Sequence, residues 1–522
     1  MLIKTVLVIL FFGLMIAIGL YCRKHSTDVN GFVLGGRSVG PWLTAFAYGT
    51  SYFSAVVFVG YAGQFGWRYG IAATWAGLGN AFIGSLLAWV VLGRRTRIMS
   101  QYLSSATMPD FFGKRFQSDA LKIAASVICF IFLIPYTASL YNGLSRLFGM
   151  AFSVDYSVCV IFMAVLTGVY VVAGGYMATA INDFIQGMIM LAGIVAVIIA
   201  VLESKGGLSA SLAGIAEVSD PNAVSELAKS PGVFASFFGP DPVNLLGVVI
   251  LTSRGTWGLP QMVQKFSAIK NESDITTGTV ISTLFALVVA GGCYFLGGFG
   301  RLFTSQLDPS GLGVPAEGYD SVIPVMLSSL PDILIGVVVI LVLSASMSTL
   351  SSLVLASSST LTLDLLKGHV IKDMDEKKQL SVMRVLIVVF IVISVILAII
   401  QYRSNVTFIA QLMGVSWGAL AGAFLAPFMF SLYWKGVTKI SCWVNFIFSS
   451  AVMIANMIIR PEFPELLRSP INAGAFCMIA GFVIVPAVSV ITRKPEKKFV
   501  DDAFSCYTMT VTIRQSRALG DD

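Results

Sequence analysis

LSASMSTLSSLVLASSSTLTLDLL, residues 343–366, follows the apolar run 333–342 without a break. A run this long and apolar is typical of a membrane-spanning helix. At about 100° per residue, Ala345, Ser348, Thr349 and Ser352 share one face of that helix, with Ser351 beside them. Oxygen atoms grouped at mid-membrane depth suit a small hard cation. The alternative is that these small hydroxyl residues only let helices pack closely.

The composition of the whole chain places it in a bilayer. Its 522 residues are 56% hydrophobic and 12% charged, with a mean hydropathy of +0.85. These values predict an all-α membrane protein and exclude a soluble domain. The net charge of +7 agrees with the positive-inside rule and requires no nucleic-acid partner. Scattered cysteines give no indication of a disulfide framework or a zinc site, and the lack of a phosphate loop or a nucleophile–histidine pair implies no covalent chemistry, so we do not expect an enzyme.

Hydropathy predicts thirteen membrane spans. They lie near residues 3–21, 40–63, 72–93, 120–147, 154–173, 177–202, 241–266, 275–300, 330–364, 380–401, 407–432, 437–459 and 470–492. Most Lys and Arg residues, Lys265 and Lys270 among them, fall on one set of connections, which is therefore cytoplasmic. We expect a multi-pass protein of the cytoplasmic membrane, with its N-terminus outside and its C-terminus in the cytoplasm.

Two of these spans carry helix-breaking residues at mid-membrane depth. The second contains YGTSYFS at 48–54, and the seventh contains TSRGTWGLP at 252–260. Such breaks at matching places in two halves of a transporter point to its binding site, so spans 2–6 and 7–11 would form two inverted five-helix repeats. The predicted regions are 1–38 (N-terminal helix and cytoplasmic loop), 39–202 (first repeat), 203–240 (external loop), 241–432 (second repeat), 433–495 (two C-terminal helices) and 496–522 (cytoplasmic tail).

Two charged residues in the predicted spans need an explanation. Asp183 near the inner end of the sixth span requires a partner, because a lone carboxylate is costly there. A cation held by the serine helix would satisfy it, and so would a helix-capping role or a loop lysine. Arg254, in the second break, is a suitable receptor for a carboxylate. It could equally close a structural ion pair or line the cytoplasmic vestibule.

Four motifs resemble the sodium/solute symporters, the family of the sodium/proline, pantothenate, sialic-acid and sodium/glucose transporters. They are LGGRSVGPWLTAFAYGTSYFSA (34–55), MPDFFGKRF (108–116), GGYMATAINDFIQ (174–186) and the serine-rich stretch 343–366. The resemblance spans about residues 5–495. It implies thirteen spans with the five-plus-five inverted repeat that is also seen in the leucine transporter.

The resemblance also implies sodium sites. The family's common site uses backbone carbonyls of the first broken helix, which match Thr50 and Phe53, and oxygens of the serine helix, which match Ala345, Ser348 and Thr349. Members that bind a second sodium use an aspartate and further serines. The matching residues here are Asp183, Ser348, Ser351 and Ser352. The implied cofactor is therefore Na⁺, as one or two coupling ions.

The solute is less well defined by the sequence. The chain shares Tyr136 with the proline transporters, but it has Tyr52 where they carry an aspartate and Thr252 where they carry a tryptophan. These departures count against proline, whereas Arg254 favours a solute with a carboxylate. Aromatic and amide residues such as Trp417 could complete a pocket. The candidate solute-binding residues are Ser51, Tyr52, Ser54, Tyr136, Arg254, Trp257 and Gln411.

The predicted function is sodium-coupled symport of a small organic solute by alternating access. The candidate solutes are amino acids such as proline and organic acids such as pantothenate or sialic acid, and the expected unit is a monomer. A sugar transporter or a proton-coupled transporter of the same fold is the nearest alternative. A channel or a ligand sensor is a more distant one, because a channel needs no paired breaks and a sensor would normally append a signalling domain.

Overall fold

The computed structural model describes residues 2–23, 27–152, 154–220, 226–303, 318–328, 330–367, 369–371, 373–404 and 409–508, apart from the side chains of residues 2–4, 52 and 404. Within these ranges the regular elements are helices and there is no strand. The all-α prediction is confirmed. Parts of the two long predicted loops and the end of the predicted tail, residues 509–522, lie outside the described residues.

The α-helices of the described chain are as follows: α1 Leu2–Cys22, α2 Val29–Leu34, α3 Pro41–Tyr52, α4 Ala62–Tyr69, α5 Thr74–Gly79, α6 Arg94–Tyr102, α7 Met108–Phe116, α8 Asp119–Phe152, α9 Tyr156–Glu203, α10 Gly207–Glu217, α11 Pro242–Arg254, α12 Pro260–Ala268, α13 Asp274–Gly297, α14 Val322–Ser328, α15 Asp332–Thr360, α16 Glu376–Ser404, α17 Ile409–Tyr433, α18 Lys439–Ile458, α19 Glu465–Arg468, α20 Pro470–Ile491 and α21 Lys497–Ser505. Wider, π-helical turns occupy Val56–Tyr61, Asn80–Leu87, Trp89–Gly93 and Leu361–Leu366.

Ten helical stretches in the described part are long and apolar enough to cross a membrane. Two of them, Val56–Tyr102 and Tyr156–Glu203, contain 47 and 48 residues. At 1.5 Å per residue, a straight helix of that length would reach roughly 70 Å, more than twice the hydrocarbon core of about 30 Å. Each stretch therefore has the length for two crossings.

Both predicted helix interruptions are confirmed. Helix α3 ends at Tyr52, where Phe53 takes an extended conformation (φ −95°, ψ 114°), and helical structure resumes at Val56. In the seventh predicted span, α11 runs into a short 3₁₀ turn, Gly255–Gly258, and Leu259 is extended before Pro260 begins α12. The breaks leave backbone carbonyls without helical partners inside the protein, the one place where irregular backbone is tolerated at membrane depth.

The serine-rich helix α15 is the centre of the bundle. Every residue from Leu341 to Thr360 is buried, and the helix packs against α1, α3, α8, α9 and α16. Several of its hydroxyls bond to carbonyls of their own helix, as Ser359 does to Leu355 at 2.7 Å. Small side chains of this kind let other helices approach closely and keep their own polar atoms satisfied. The packing interpretation therefore accounts for part of the serine pattern.

The motif at 108–116 forms α7 and secures the end of the serine helix. Thr107 caps α7 and donates a hydrogen bond of 2.5 Å to Asp364. Lys122 lies 3.0 Å from Asp110 and 3.5 Å from Asp364, and Lys114 lies 2.9 Å from Asp110. Burial favours the neutral form of Asp110, but the lysines outweigh it and lower its pKa. This network ties α7 and α8 to the end of α15.

Candidate functional site

The first break faces two hydroxyls of the serine helix. Ser348 Oγ lies 3.1 Å from the carbonyl oxygen of Thr50, and Thr349 Oγ1 lies 3.0 Å from it. Thr349 Oγ1 is also 3.3 Å from the carbonyl oxygen of Phe53 and 3.1 Å from that of Ala345. Ser348 Oγ is 3.1 Å from the same Ala345 oxygen. Two hydroxyls thus gather three carbonyls from α15 and the broken end of α3.

This group of five oxygens has too few protons for its acceptors. Each hydroxyl carries one proton and can donate it to only one carbonyl at a time. All five residues are buried and therefore shielded from bulk water. A monovalent cation of small radius is the partner that fits a buried cage of carbonyl and hydroxyl oxygens. The five residues predicted for the common sodium site are therefore together and chemically suited to the ion.

The residues predicted for a second sodium site lie around a buried ion pair instead of an oxygen cage. Asp183 in α9 is fully buried, and its Oδ2 lies 3.5 Å from Nζ of Lys265 in α12. Lys265 also donates a hydrogen bond of 3.1 Å to Ser352, whose hydroxyl is 2.9 Å from that of Ser51. Ser351 bonds instead to the Ser348 carbonyl at 2.9 Å. Of the three expectations for Asp183, a cation, a helix-capping role or a loop lysine, the structure supplies a lysine, which belongs to α12 and not to a loop.

Lys265 is the main residue that sequence reasoning missed. A basic residue near the end of a predicted span normally marks the cytoplasmic border, and the sequence places Lys265 there. In the structure all nine residues of α12 are buried, and the Lys265 side chain is only 2% exposed. The signal available in advance was the break at 252–260, because a half-helix that follows a break begins inside the protein and its first turns are therefore buried.

A group of unsatisfied polar atoms lies around Tyr136 in α8. The Tyr136 ring meets Trp417 edge to face at 5.8 Å, and its hydroxyl lies within interaction range of Tyr61. Tyr61 also interacts with Tyr294 of α13. The hydroxyls of all three tyrosines and the Trp417 indole N–H are buried, and none makes a hydrogen bond of ordinary geometry within the described residues; the Tyr136 hydroxyl faces Trp417 and Ser54, and the Tyr294 hydroxyl faces Asn80 and Thr252. Orphaned polar atoms are rare in folded proteins, and several together indicate a place for a polar ligand or water.

Two of the predicted solute contacts belong to this group of polar atoms: Tyr136 itself and Ser54, which faces the Tyr136 hydroxyl. Ser54 is part of the first break, and its Oγ accepts a 3.2 Å hydrogen bond from the backbone N–H of Val56. Ser51 instead bonds to the Ala47 carbonyl and to Ser352, on the side of the serine helix. The side chain of Tyr52 lies outside the described atoms.

The other three predicted contacts lie elsewhere. Trp257 is buried and donates a 2.9 Å hydrogen bond to the carbonyl of Ile83. Arg254 is exposed, with its guanidinium over the rings of Trp257 and Phe482, each at 5.8 Å. Gln411 accepts a 3.2 Å hydrogen bond from Arg460. The structure does not bring Arg254 or Gln411 to Tyr136, because each side chain is directed to another neighbour.

The fold agrees with comparisons to known proteins. The model of the sodium:solute symporter family matches residues 32–444. This chain belongs to the sodium:solute symporter family. It is 28% identical over 94% of its length to the osmoregulated proline transporter OpuE of Bacillus subtilis, with 94% of that protein covered. It is 29% identical to sodium/proline symporter 2 of Staphylococcus saprophyticus, over 94% of this chain and 93% of the relative.

Solved structures give the same fold. A substrate-bound, outward-open sodium-coupled sialic acid symporter matches with a TM-score of 0.75 at 16% identity, covering 95% of this chain and 98% of the other. MhsT in complex with L-phenylalanine matches with a TM-score of 0.51 at 13% identity, covering 86% and 97%. The chain is thus a multi-pass transporter of the cell membrane, not an enzyme, and sodium-coupled solute symport is the activity that its family membership supports.

Proposed function

We propose that this symporter imports a small organic solute that bears a carboxylate, coupled to sodium, by alternating access. The observation that carries the sodium coupling is the buried cage formed by Thr50, Phe53, Ala345, Ser348 and Thr349, and the carboxylate is supported by the similarity to proline transporters. An ion in this cage would bridge the broken helix α3 to the serine helix α15. It would then stabilise the one conformation in which both sets of oxygens are in place. Coupling follows from that differential affinity, and it is reciprocal between sodium and solute.

The proposed solute site lies beside the first break. Ser54 and Tyr136 are its best-supported members, joined by Tyr61, Tyr294 and Trp417. Ser51 and Tyr52 in the first break and Trp257 in the second stay predicted contacts. Arg254 and Gln411, whose side chains contact other neighbours, are assigned no direct role in this conformation. Because proline is the named solute of the similar bacterial transporters, an amino acid such as proline is the first candidate, followed by organic acids such as pantothenate or sialic acid.

The proposed topology has thirteen spans and two inverted repeats. The ten candidate stretches become thirteen when Val56–Tyr102 and Tyr156–Glu203 are each divided in two and α11–α12 is counted as a broken span. The repeats would then be 39–202 and 241–432, with the breaks at Phe53 and Leu259 in matching positions. Residues 1–38 and 433–495 would flank this core. The N-terminus would lie outside, and the tail 496–522 in the cytoplasm.

The test is sodium-dependent thermal stabilisation of the purified protein. Apparent Tm is measured in sodium chloride and in choline chloride of equal ionic strength, with proline, other amino acids, pantothenate, sialic acid and sugars. A carboxylate-bearing solute should stabilise the protein only when sodium is present, because bound sodium completes the solute site. Stabilisation by a sugar, and not by a carboxylate-bearing solute, would show that the proposed class of solute is wrong. Stabilisation by protons and not by sodium would remove the sodium assignment, and uptake that does not saturate would indicate a channel.

A further inference from the structure

The ion pair between Asp183 and Lys265 is buried at the point where three helices meet. Asp183 belongs to α9, Lys265 to α12, and Ser352 to α15. Nζ of Lys265 lies 3.5 Å from Asp183 Oδ2 and 3.1 Å from Ser352 Oγ, and it sits 5.0 Å from the centre of the Tyr176 ring. The side chains of Asp183 and Lys265 are 0% and 2% exposed.

Asp183 needs one positive charge, and Lys265 provides it. A carboxylate buried within a membrane protein is stable only with a compensating cation. In the described chain, Asp183 has no hydrogen-bond donor that would stabilise it in another way. The ammonium group has the charge of a sodium ion, and it contacts an oxygen that a sodium ion at Asp183 would also use, that of Ser352.

A sodium ion and the ammonium group would compete for the same space. Both would need Asp183 and the Ser352 hydroxyl within contact distance, and two cations this close repel each other strongly in a medium of low dielectric constant. Ser351, which a second ion would also require, is already bonded to the Ser348 carbonyl at 2.9 Å. Among the described residues, no lysine or arginine contacts the oxygens of the cage at Thr50 and Thr349, so sodium remains the cation proposed for it.

We infer that Lys265 is a tethered replacement for a second coupling ion, so that this symporter binds one sodium, at the cage of Thr50, Phe53, Ala345, Ser348 and Thr349. The inference rests on the proposed sodium-coupled function and sets its stoichiometry. Because the ammonium is covalently attached to α12, it joins α9, α12 and α15 at every sodium concentration. Removing it converts the surroundings of Asp183 into a second sodium site.

The test measures how steeply sodium stabilises the purified full-length protein. Above the dissociation constant, the stabilisation rises with the logarithm of sodium concentration in proportion to the number of ions bound. The wild type should show the slope of one ion. Lys265→Ala should show about twice that slope, because Asp183 and the serines then recruit sodium. Lys265→Arg, which keeps the charge, should retain the wild-type slope.

Two further variants separate ion binding from damage to the fold. Asp183→Asn should keep the one-ion slope in the otherwise wild-type chain, and Lys265→Ala combined with Asp183→Asn should return to one ion. Lys270→Ala removes an exposed lysine beyond the end of the same helix and serves as the matched control.

The possible results distinguish this inference from the proposed function. A two-ion slope in the wild type that Asp183→Asn reduces to one would overturn the inference and leave sodium coupling intact. A one-ion slope in Lys265→Ala would also overturn it. If Lys265→Ala does not fold, the sodium slopes of the wild type and of Asp183→Asn still decide whether one or two ions bind. A wild type that sodium does not stabilise at all would instead refute the proposed function.

Discussion

We expect sodium binding to depend most on the hydroxyl groups of Ser348 and Thr349. They contact carbonyls of Thr50 and Phe53 that have no helical partner at the break, and the carbonyl of Ala345 on their own helix. Neither side chain is distinctive in sequence, because α15 carries many hydroxyl residues. Their position opposite the broken end of α3 makes these two different from the others.

Replacing both hydroxyls should weaken sodium binding without unfolding the protein. We expect Ser348→Ala with Thr349→Ala to raise the sodium concentration for half-maximal uptake more than tenfold, about 1.4 kcal/mol or more, because two of five ligand oxygens are lost. Sodium-dependent uptake and sodium-dependent Tm measure this. Ser358→Ala is the control, since its hydroxyl bonds only to the Leu355 carbonyl of α15. Unchanged sodium dependence in the double variant would refute the site.

Tyr136 allows the solute site to be tested separately from the ion site. Tyr136→Phe removes a buried hydroxyl that faces Trp417 and Ser54 but makes no hydrogen bond of ordinary geometry in the described chain. We expect the KM for the solute to rise roughly tenfold, about 1.4 kcal/mol, while the sodium dependence of Tm without solute stays the same. Tyr156→Phe, at a buried tyrosine bonded to Asn142 and Ala398, should leave KM unchanged. Equal effects of the two substitutions would contradict the assignment.

At the scale of the elements, glycine decides where the long helices turn. Gly175 divides α9 with a backbone conformation of φ 56° and ψ −148°, which residues other than glycine rarely adopt. A Cβ atom there would also lie 2.8 Å from the ring of Phe32 and 2.9 Å from its carbonyl oxygen. The turn therefore depends on both the dihedral freedom and the small size of this residue. It also sets the direction of the segment that carries Asp183.

Gly175→Ala should destabilise the protein. The strained dihedral alone is expected to cost on the order of 1–3 kcal/mol, and the contact with Phe32 adds to it. Thermal unfolding measures the change. Gly168→Ala is a control in the same helix, because its added Cβ would meet Ile391 at an ordinary 3.5 Å and alanine favours a helix by about 1 kcal/mol over glycine. A Gly175 variant as stable as the Gly168 variant would contradict the argument.

At the scale of the whole molecule, the short segment around Asp320 connects parts of the chain that are far apart in sequence. Asp320 Oδ2 lies 3.8 Å from Arg146 of α8 and accepts a 3.4 Å hydrogen bond from the backbone of Ile409 in α17. Burial raises the pKa of Asp320 from 3.8 to about 6, although Arg146 and the Ile409 N–H oppose the shift. The folded protein therefore holds a proton at this carboxyl over a pH range in which the unfolded chain has released it.

This shift predicts the sign of a pH dependence. Since the folded state binds more protons between about pH 4 and 6, the contribution of Asp320 to stability is present at low pH and is lost as the pH rises through about 6. Its full size is about 3 kcal/mol. Asp320→Asn should flatten the decline of Tm over this range, while Asp373→Asn, at an exposed position, should not. An identical decline of Tm with pH in both variants would contradict the assignment of this pH dependence to Asp320.

The sequence by itself predicted the class of the protein, the two helix breaks and the family, and the resemblance to that family named the five residues proposed to hold sodium. These features are local: apolar length shows where helices cross, and glycine and proline at 252–260 show where helical hydrogen bonds fail. Only the tertiary structure decided that Lys265 is the partner of Asp183, that Arg254 is directed outward, and that Tyr61 and Tyr294 join Tyr136. Those contacts connect helices that are remote along the chain, and periodicity records which face of a helix is polar but not which helix lies against it.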